Sequence, residues 1–226
     1  MSDTIRVITS CTNRKAIAAP AGLETAKLPE LQSPTTVVAA ERLYAGGQHR
    51  RLMAGVDMLR AHRPVEVWVI SAKVGLVSGE TQLAPYNESF TSLSRETLRE
   101  RADALAIPSD VRRLIARPAA LMLMLLGNDY FDAARLDSSA VWGGPAVAFV
   151  SPSRAIEFPA DPLLRVVPVS QATAKAWSLP LTLLKGELVQ RILIALAEGV
   201  APRALVGLEE DVLTPLLSPH GEPVLC

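Results

Sequence analysis

Two side chains with the chemistry needed for covalent or electrostatic catalysis stand just past apolar runs: Cys11 after Ile5 to Thr9 (IRVIT), and Lys73 after Val65 to Ile70 (VEVWVI). A thiolate attacks electrophiles, and Arg14 and Lys15, close to Cys11 in sequence, favour that ionised form. The alternative for Cys11 is a small packed residue. Lys73 belongs to Ser71-Ala72-Lys73-Val74-Gly75-Leu76, in which Gly75 lets the backbone approach closely and Ser71 adds a hydroxyl. Its ammonium can bind an anion or polarise a substrate; otherwise it is a solvated lysine. Both are candidate catalytic residues.

Around them stand candidate ligand contacts. Thr12 and Lys15 share the donor-rich turn after the first run, and Ser71 and Gly75 share the turn of Lys73. Tyr86 and Asn87 follow Pro85, which fixes the local backbone, so an aromatic face and an amide could stack on and read a base. An ordinary turn is the plainer reading. Gly127, Asn128 and Asp129 open a third polar turn and can present a carboxylate and backbone amides at a helix start, or simply cap it.

The elements that must position these groups follow from periodicity. The β-branched run at Ile5 to Thr9, the run at Val65 to Ile70 and Ala119 to Leu126 (AALMLMLL) have the length and apolarity of strands covered on both faces. Ala146 to Val150 and Arg165 to Pro168 are two shorter candidates. Helical spacing runs from Glu41 to Ala61, with Gly46 and Gly47 delaying its start to about Gln48. Ser94 with Thr97 marks a helix start, Pro108 is expected to end that helix, and Ser109-Asp110 to cap a second one through Arg117. Lys185 to Gly199 is the clearest amphipathic helix, and Leu208 to Leu217 a last short one. Residues 16–36, with Pro20, Pro29 and Pro34, are expected as an extended loop or flap.

Alternating strands and helices with parallel crossovers predict an α/β fold, a three-layer Rossmann-like, mostly parallel sheet with a helical C-terminal extension. Residues 1–150 would carry the site, and 151–226 would pack on the same domain. Ligands of open α/β sheets bind outside the carboxyl ends of the strands, so the turns at Cys11 to Lys15, Ser71 to Gly75 and Gly127 to Tyr130 are expected to gather at one edge.

Composition narrows the function. The chain has 226 residues, 49% of them hydrophobic, with 23 Lys and Arg balanced by 23 Asp and Glu, so any nucleic-acid contact must be local. Two cysteines, one of them terminal, fit a reducing compartment, and no long apolar segment is present, which points to a cytoplasmic protein without membrane contact. Walker, G-x-G-x-x-G and Gly-x-Ser-x-Gly patterns are missing, and His49, His62 and His220 lack metal spacing; no cofactor and no metal site are expected.

ITSCTNRK, AERLYAGGQHRR and ISAKVGLVSGETQLAPYN, in that order, resemble a bacterial family described mainly as a domain of unknown function, distantly similar to the YaaA peroxide-stress proteins and to enzymes handling 7-deazaguanine in nucleic acid. The resemblance spans roughly Ile5 to Leu136, with residues 16–40 as an insertion, and Asn87 stands where that family usually has Asp. It implies that the ligand is a nucleobase, a nucleotide or a nucleic-acid end, and it adds Tyr44, in the Leu-Tyr segment, to the ligand contacts. Two functions compete. One is an enzyme acting on a modified purine or other nucleobase, with Cys11 as nucleophile or redox-sensitive thiol and Lys73 as cationic stabiliser. The other is a noncatalytic nucleic-acid or nucleotide binder in stress or phage defence, with Arg42, Arg50 and Arg51 on phosphates. A subunit using its Lys185 to Gly199 helix for assembly is a third, plainer reading.

Overall fold

The computed structural model describes residues 2–12, 15–16, 37–137, 139–158, 160–207 and 212–219. The expected loop or flap therefore lies, from residue 17 to 36, outside the described residues, as do residues 208–211 of the expected last helix. Val and Ile dominate β1 (Ile5–Ser10), which is buried along its whole length. The short β2 (Val38–Ala39) and α1 (Ala40–Leu43) lead into α2 (Gly47–Leu59), where Gly46 and Gly47 set the start. Next come β3 (Val65–Ser71), β4 (Gly75–Ser78), β5 (Gln82–Leu83), α3 (Arg95–Ala104) and α4 (Ile107–Ile115). The remainder is β6 (Leu121–Leu125), α5 (Asn128–Ala134), β7 (Ala146–Val150), α6 (Pro152–Ala155), β8 (Leu164–Pro168), α7 (Gln171–Ala176), α8 (Leu181–Ala197) and α9 (Leu213–Leu216).

Six strands form one sheet in the order β4-β3-β1-β6-β7-β8, parallel throughout except for β4, which runs antiparallel to β3. Counted in chain order, the parallel strands read 2-1-3-4-5, a doubly wound order whose direction reverses between β1 and β6. By the general right-handedness of parallel crossovers, α2, which carries the chain one way across the sheet, and α3 to α5, which carry it the other way, cover opposite faces. That explains why β6 and β7 are buried at every residue. The mixed α/β, mostly parallel sheet is the fold class expected.

The sheet does not end at Val150. β8 pairs with β7, and α8 returns to pack along α2. At that crossing a Cβ on Gly186 would stand 2.4 Å from the carbonyl oxygen of Gln48, and one on Gly55 would stand 3.1 Å from Cα of Gln190. Small residues let the two backbones meet.

Three boundaries differ from expectation, each for a local reason. Pro108 does not end α3; the chain breaks at Ala106, in the left-handed region at φ 53°, and Pro108 sits in the first turn of α4, where a missing N–H costs nothing. Ser109 and Asp110 are accordingly inside α4. Helix α8 begins at Leu181, four residues before Lys185, behind Pro180. After Ser71 the chain reverses at Gly75, φ 81°, and pairs back on β3 as β4.

Arg6, fully buried on β1, ties strand to helix. Its guanidinium donates to Glu66 at 2.9 Å and to the carbonyl oxygens of Leu114 at 3.2 Å and Arg117 at 3.0 Å, at and beyond the end of α4. No helix among the described residues is long and apolar enough to cross a membrane.

Candidate functional site

At the carboxyl ends of β1, β3 and β6 a cluster of hydroxyls, one thiol and two ammonium groups comes together. Cys11 follows β1 directly, and its backbone N–H still donates to the carbonyl of Ile70 at 3.0 Å. Its Sγ lies 2.8 Å from the hydroxyl of Tyr130 on α5. This contact spans the point where strand order reverses. Tyr130 is held by its ring packing edge-on against Phe90, centroids 5.3 Å apart. Cys11 is 5% exposed, buried beside a polar group and not among aliphatic side chains alone.

A second set joins the exits of β1 and β3. The Tyr86 hydroxyl lies 2.6 Å from that of Tyr44 and 2.7 Å from Oγ of Ser71. Ser71 Oγ also accepts the backbone N–H groups of Lys73 at 3.1 Å and Val74 at 3.2 Å, which shapes the turn between β3 and β4. The ammonium of Lys15 donates to the carbonyl of Thr12 and stands over both rings, 4.7 Å from the Tyr86 centroid and 5.1 Å from that of Tyr44. Backbone pairing of Lys15 with Tyr44 fixes that position.

Burial dominates the electrostatics. It pushes the phenols of Tyr44, Tyr86 and Tyr130 far above their usual range, and a negative charge on Cys11 pushes each further, so all three are un-ionised hydrogen-bonding groups. Burial pulls Lys15 below its ordinary value, while Cys11 and then Glu88 pull it part of the way back up.

The other sequence candidates take the following places. Lys73 stands at the rim, half-exposed, paired with Glu88 at 3.0 Å and 5.8 Å from the Tyr86 centroid. Burial would raise the Glu88 carboxyl, but the hydrogen bond and charge of Lys73 together with backbone hydrogen bonds from Glu88 and Asn87 outweigh it and hold it low. Lys15 is thus the cation coupled to Cys11, a change from the role expected of Lys73. Tyr86 is 3% exposed with Lys15 over its ring, so it contributes its hydroxyl and not an open stacking face, while Asn87 is exposed. Thr12 packs against the start of α2, where a Cβ on Gly46 would meet its Cγ2 at 3.1 Å. Gly75 makes the reversal into β4 and approaches the carbonyl of Leu105. Gly127 is the cap residue of α5, Asp129 lies in its first turn, and Oδ1 of Asn128 accepts from Ser151 Oγ at 3.1 Å, linking the exits of β6 and β7.

The three arginines expected on phosphates are not grouped at this rim. Arg42 makes two hydrogen bonds to Asp57, 2.6 and 2.9 Å, in the C-terminal half of α2, whereas the N-terminus of that helix faces the site. Arg51 pairs with Glu187 of α8 at 3.0 Å, and Arg50 is exposed in the first turn of α2. Sequence reasoning missed the hydroxyl of Tyr130, the carboxylate of Glu88 and Lys185, whose ammonium donates to the carbonyl of Leu126 at 2.8 Å. Tyr130 could have been found as the third residue of the helix that follows a strand exit; nothing in the sequence marks the other two.

A cavity of about 700 Å³ opens at the opposite, amino end of the sheet, between Pro118, Trp142, Pro145 and Pro202. It is remote from the thiol. Among the described residues no group of three or more His, Cys, Asp or Glu could hold a metal ion. Comparison with known protein families, with curated proteins and with solved structures gives no match for this chain.

Proposed function

We propose that this chain is an enzyme acting on a nucleobase, nucleotide or modified purine at the rim between β1 and β6, with Cys11 as nucleophile. The observation that carries this reading is the 2.8 Å contact between Cys11 Sγ and the Tyr130 hydroxyl at the reversal of strand order, the place where ligands of doubly wound sheets bind. An un-ionised phenol at that distance can donate to a thiolate, and Lys15 supplies the opposite charge nearby. Addition of the thiolate to a nitrile- or amidine-like carbon forms the C–S bond and sends the π pair to nitrogen, which takes a proton from the Lys15 ammonium. Tyr44 offers a hydroxyl suited to the polar edge of a planar heterocycle, with Tyr86 and Ser71 bonded in line behind it, in keeping with the family resemblance. Lys73 with Glu88 stands at the rim and serves the approach of the ligand.

The test combines ligand identification with substitution. Incubation with cell metabolites, followed by mass spectrometry of what stays bound, supplies the substrate, and turnover is then measured in Cys11→Ser and Lys15→Met. Turnover is expected to fall at least about a hundredfold in Cys11→Ser with folding intact. Full activity in both variants overturns the mechanism.

A further inference from the structure

Lys185, half-buried on α8, is not used by the chemistry above, and its surroundings lack what a buried ammonium needs. Its Nζ makes one hydrogen bond, to the uncharged carbonyl of Leu126, and among the described residues no carboxylate lies within salt-bridge distance. Burial alone sets its proton affinity, pulling it down to about 8, with no charged neighbour contributing. Among the described residues a cation in that position has the neutral carbonyl of Leu126 as its partner and no counter-ion.

The place matters as much as the charge. Leu126 follows Leu125, which pairs with Thr9, so the carbonyl that holds Lys185 is level with Ser10, one residue before Cys11, and one strand spacing of about 4.8 Å away. The next residue, Gly127, caps α5, which carries Tyr130. On its other side, Gly186 touches Gln48 in the first turn of α2, the turn that starts beside Thr12 without a side-chain cap. The ammonium therefore stands at the junction of β6, α2 and the exit of β1, on the helix layer opposite Tyr130.

We propose that Lys185 is the anion-holding residue of this site, and that the ligand is a phosphate-bearing nucleotide in preference to a free nucleobase. The proposal rests on the reading of the β1/β6 rim as the ligand site. The phosphate supplies the charge that the fold withholds, while the heterocycle reaches Cys11 and the hydroxyls across the rim.

The experiment follows the Lys185 side chain by NMR in protein labelled at the lysine Cε, its signal assigned by its loss in Lys185→Met. Inorganic phosphate is the first probe, and adenosine against adenosine 5′-monophosphate the second. Phosphate is expected to raise the titration midpoint of Lys185, and Lys185→Met to weaken phosphate binding about tenfold or more, with Lys185→Arg retaining part of it. AMP should bind more tightly than adenosine in the wild type and lose that advantage in Lys185→Met. An unmoved Lys185 midpoint, an equal phosphate affinity in Lys185→Met, or a Lys185 that already titrates near the ordinary lysine value without ligand overturns the proposal. A response to phosphate without any binding of AMP or adenosine would keep the anion site and sink the nucleobase reading, so the two fail separately.

Discussion

At the scale of single residues, the polar cluster shows how position and not residue type sorts two lysines close to one phenol. Lys73 sits in the more suggestive sequence, yet its ammonium pairs with Glu88 at the rim, while Lys15, from a plainer turn, lies over two aromatic rings and is coupled to Cys11. Lys185 permits a quantitative prediction. The fall from 10.5 to about 8 corresponds to roughly 3 kcal/mol. Because the folded protein gives up this proton more readily than the unfolded chain, stability contributed by this group rises as pH rises between about 8 and 10.5, and the cost is fully present below that window. The lead of Lys185→Met over wild type is therefore expected to be larger by roughly 3 kcal/mol at pH 7 than above pH 10.5. Urea midpoints measured across that range check it, and a gap independent of pH would contradict the burial described.

At the scale of elements, the crossing of α2 and α8 depends on glycine. Gly186→Ala places a methyl group against the Gln48 carbonyl, which belongs to backbone and cannot swing away. Overpacking of this kind costs about 1–3 kcal/mol against roughly 0.5–1 kcal/mol gained from helix propensity, so a net loss of about 1–2 kcal/mol is expected in chemical denaturation. Such contacts mark what was legible in the sequence and what was not. The runs at Ile5, Val65, Ala119 and Ala146 announced four central strands because a strand covered on both faces must be apolar throughout. β4 went unnoticed because four residues starting with a left-handed glycine resemble a turn. At the site, the residues beside strand exits could be named from their position, but the contact of Cys11 with Tyr130 joins residues 119 apart, and no local pattern encodes it. The buried setting of Tyr86 was equally hidden, since only packing decides whether an aromatic ring faces water.

At the scale of the whole molecule, charge is spent internally. Arg42, Arg51, Arg60, Arg112, Arg135 and Arg154, spread over five helices and their ends, each have a carboxylate within 3.0 Å, so these six present little free positive charge. That weighs against a phosphate-backbone binder and suits a small ligand held at the rim. The layers also predict how the molecule unfolds. Trp68 lies in β3, whereas Trp142 and Trp177 flank β7 and α7 on the other half of the sheet, and β8 with α8 joins the two halves. Single-tryptophan variants should report one coincident transition in urea. Separate midpoints for the two halves would mean that residues 151–226 fold apart from the rest.

The two backbone donors on Ser71 give the hydroxyl chain a direction. Both lone pairs of Oγ are taken by Lys73 and Val74, so its single proton goes to Tyr86, which leaves the Tyr86 proton free to go to Tyr44. With the Tyr86 proton on Tyr44, the chain runs outward from Ser71, and Tyr44 stands at its head with a proton to offer. A ligand oxygen or ring nitrogen arriving there meets a donor whose polarity was set two residues upstream, by a turn it never touches.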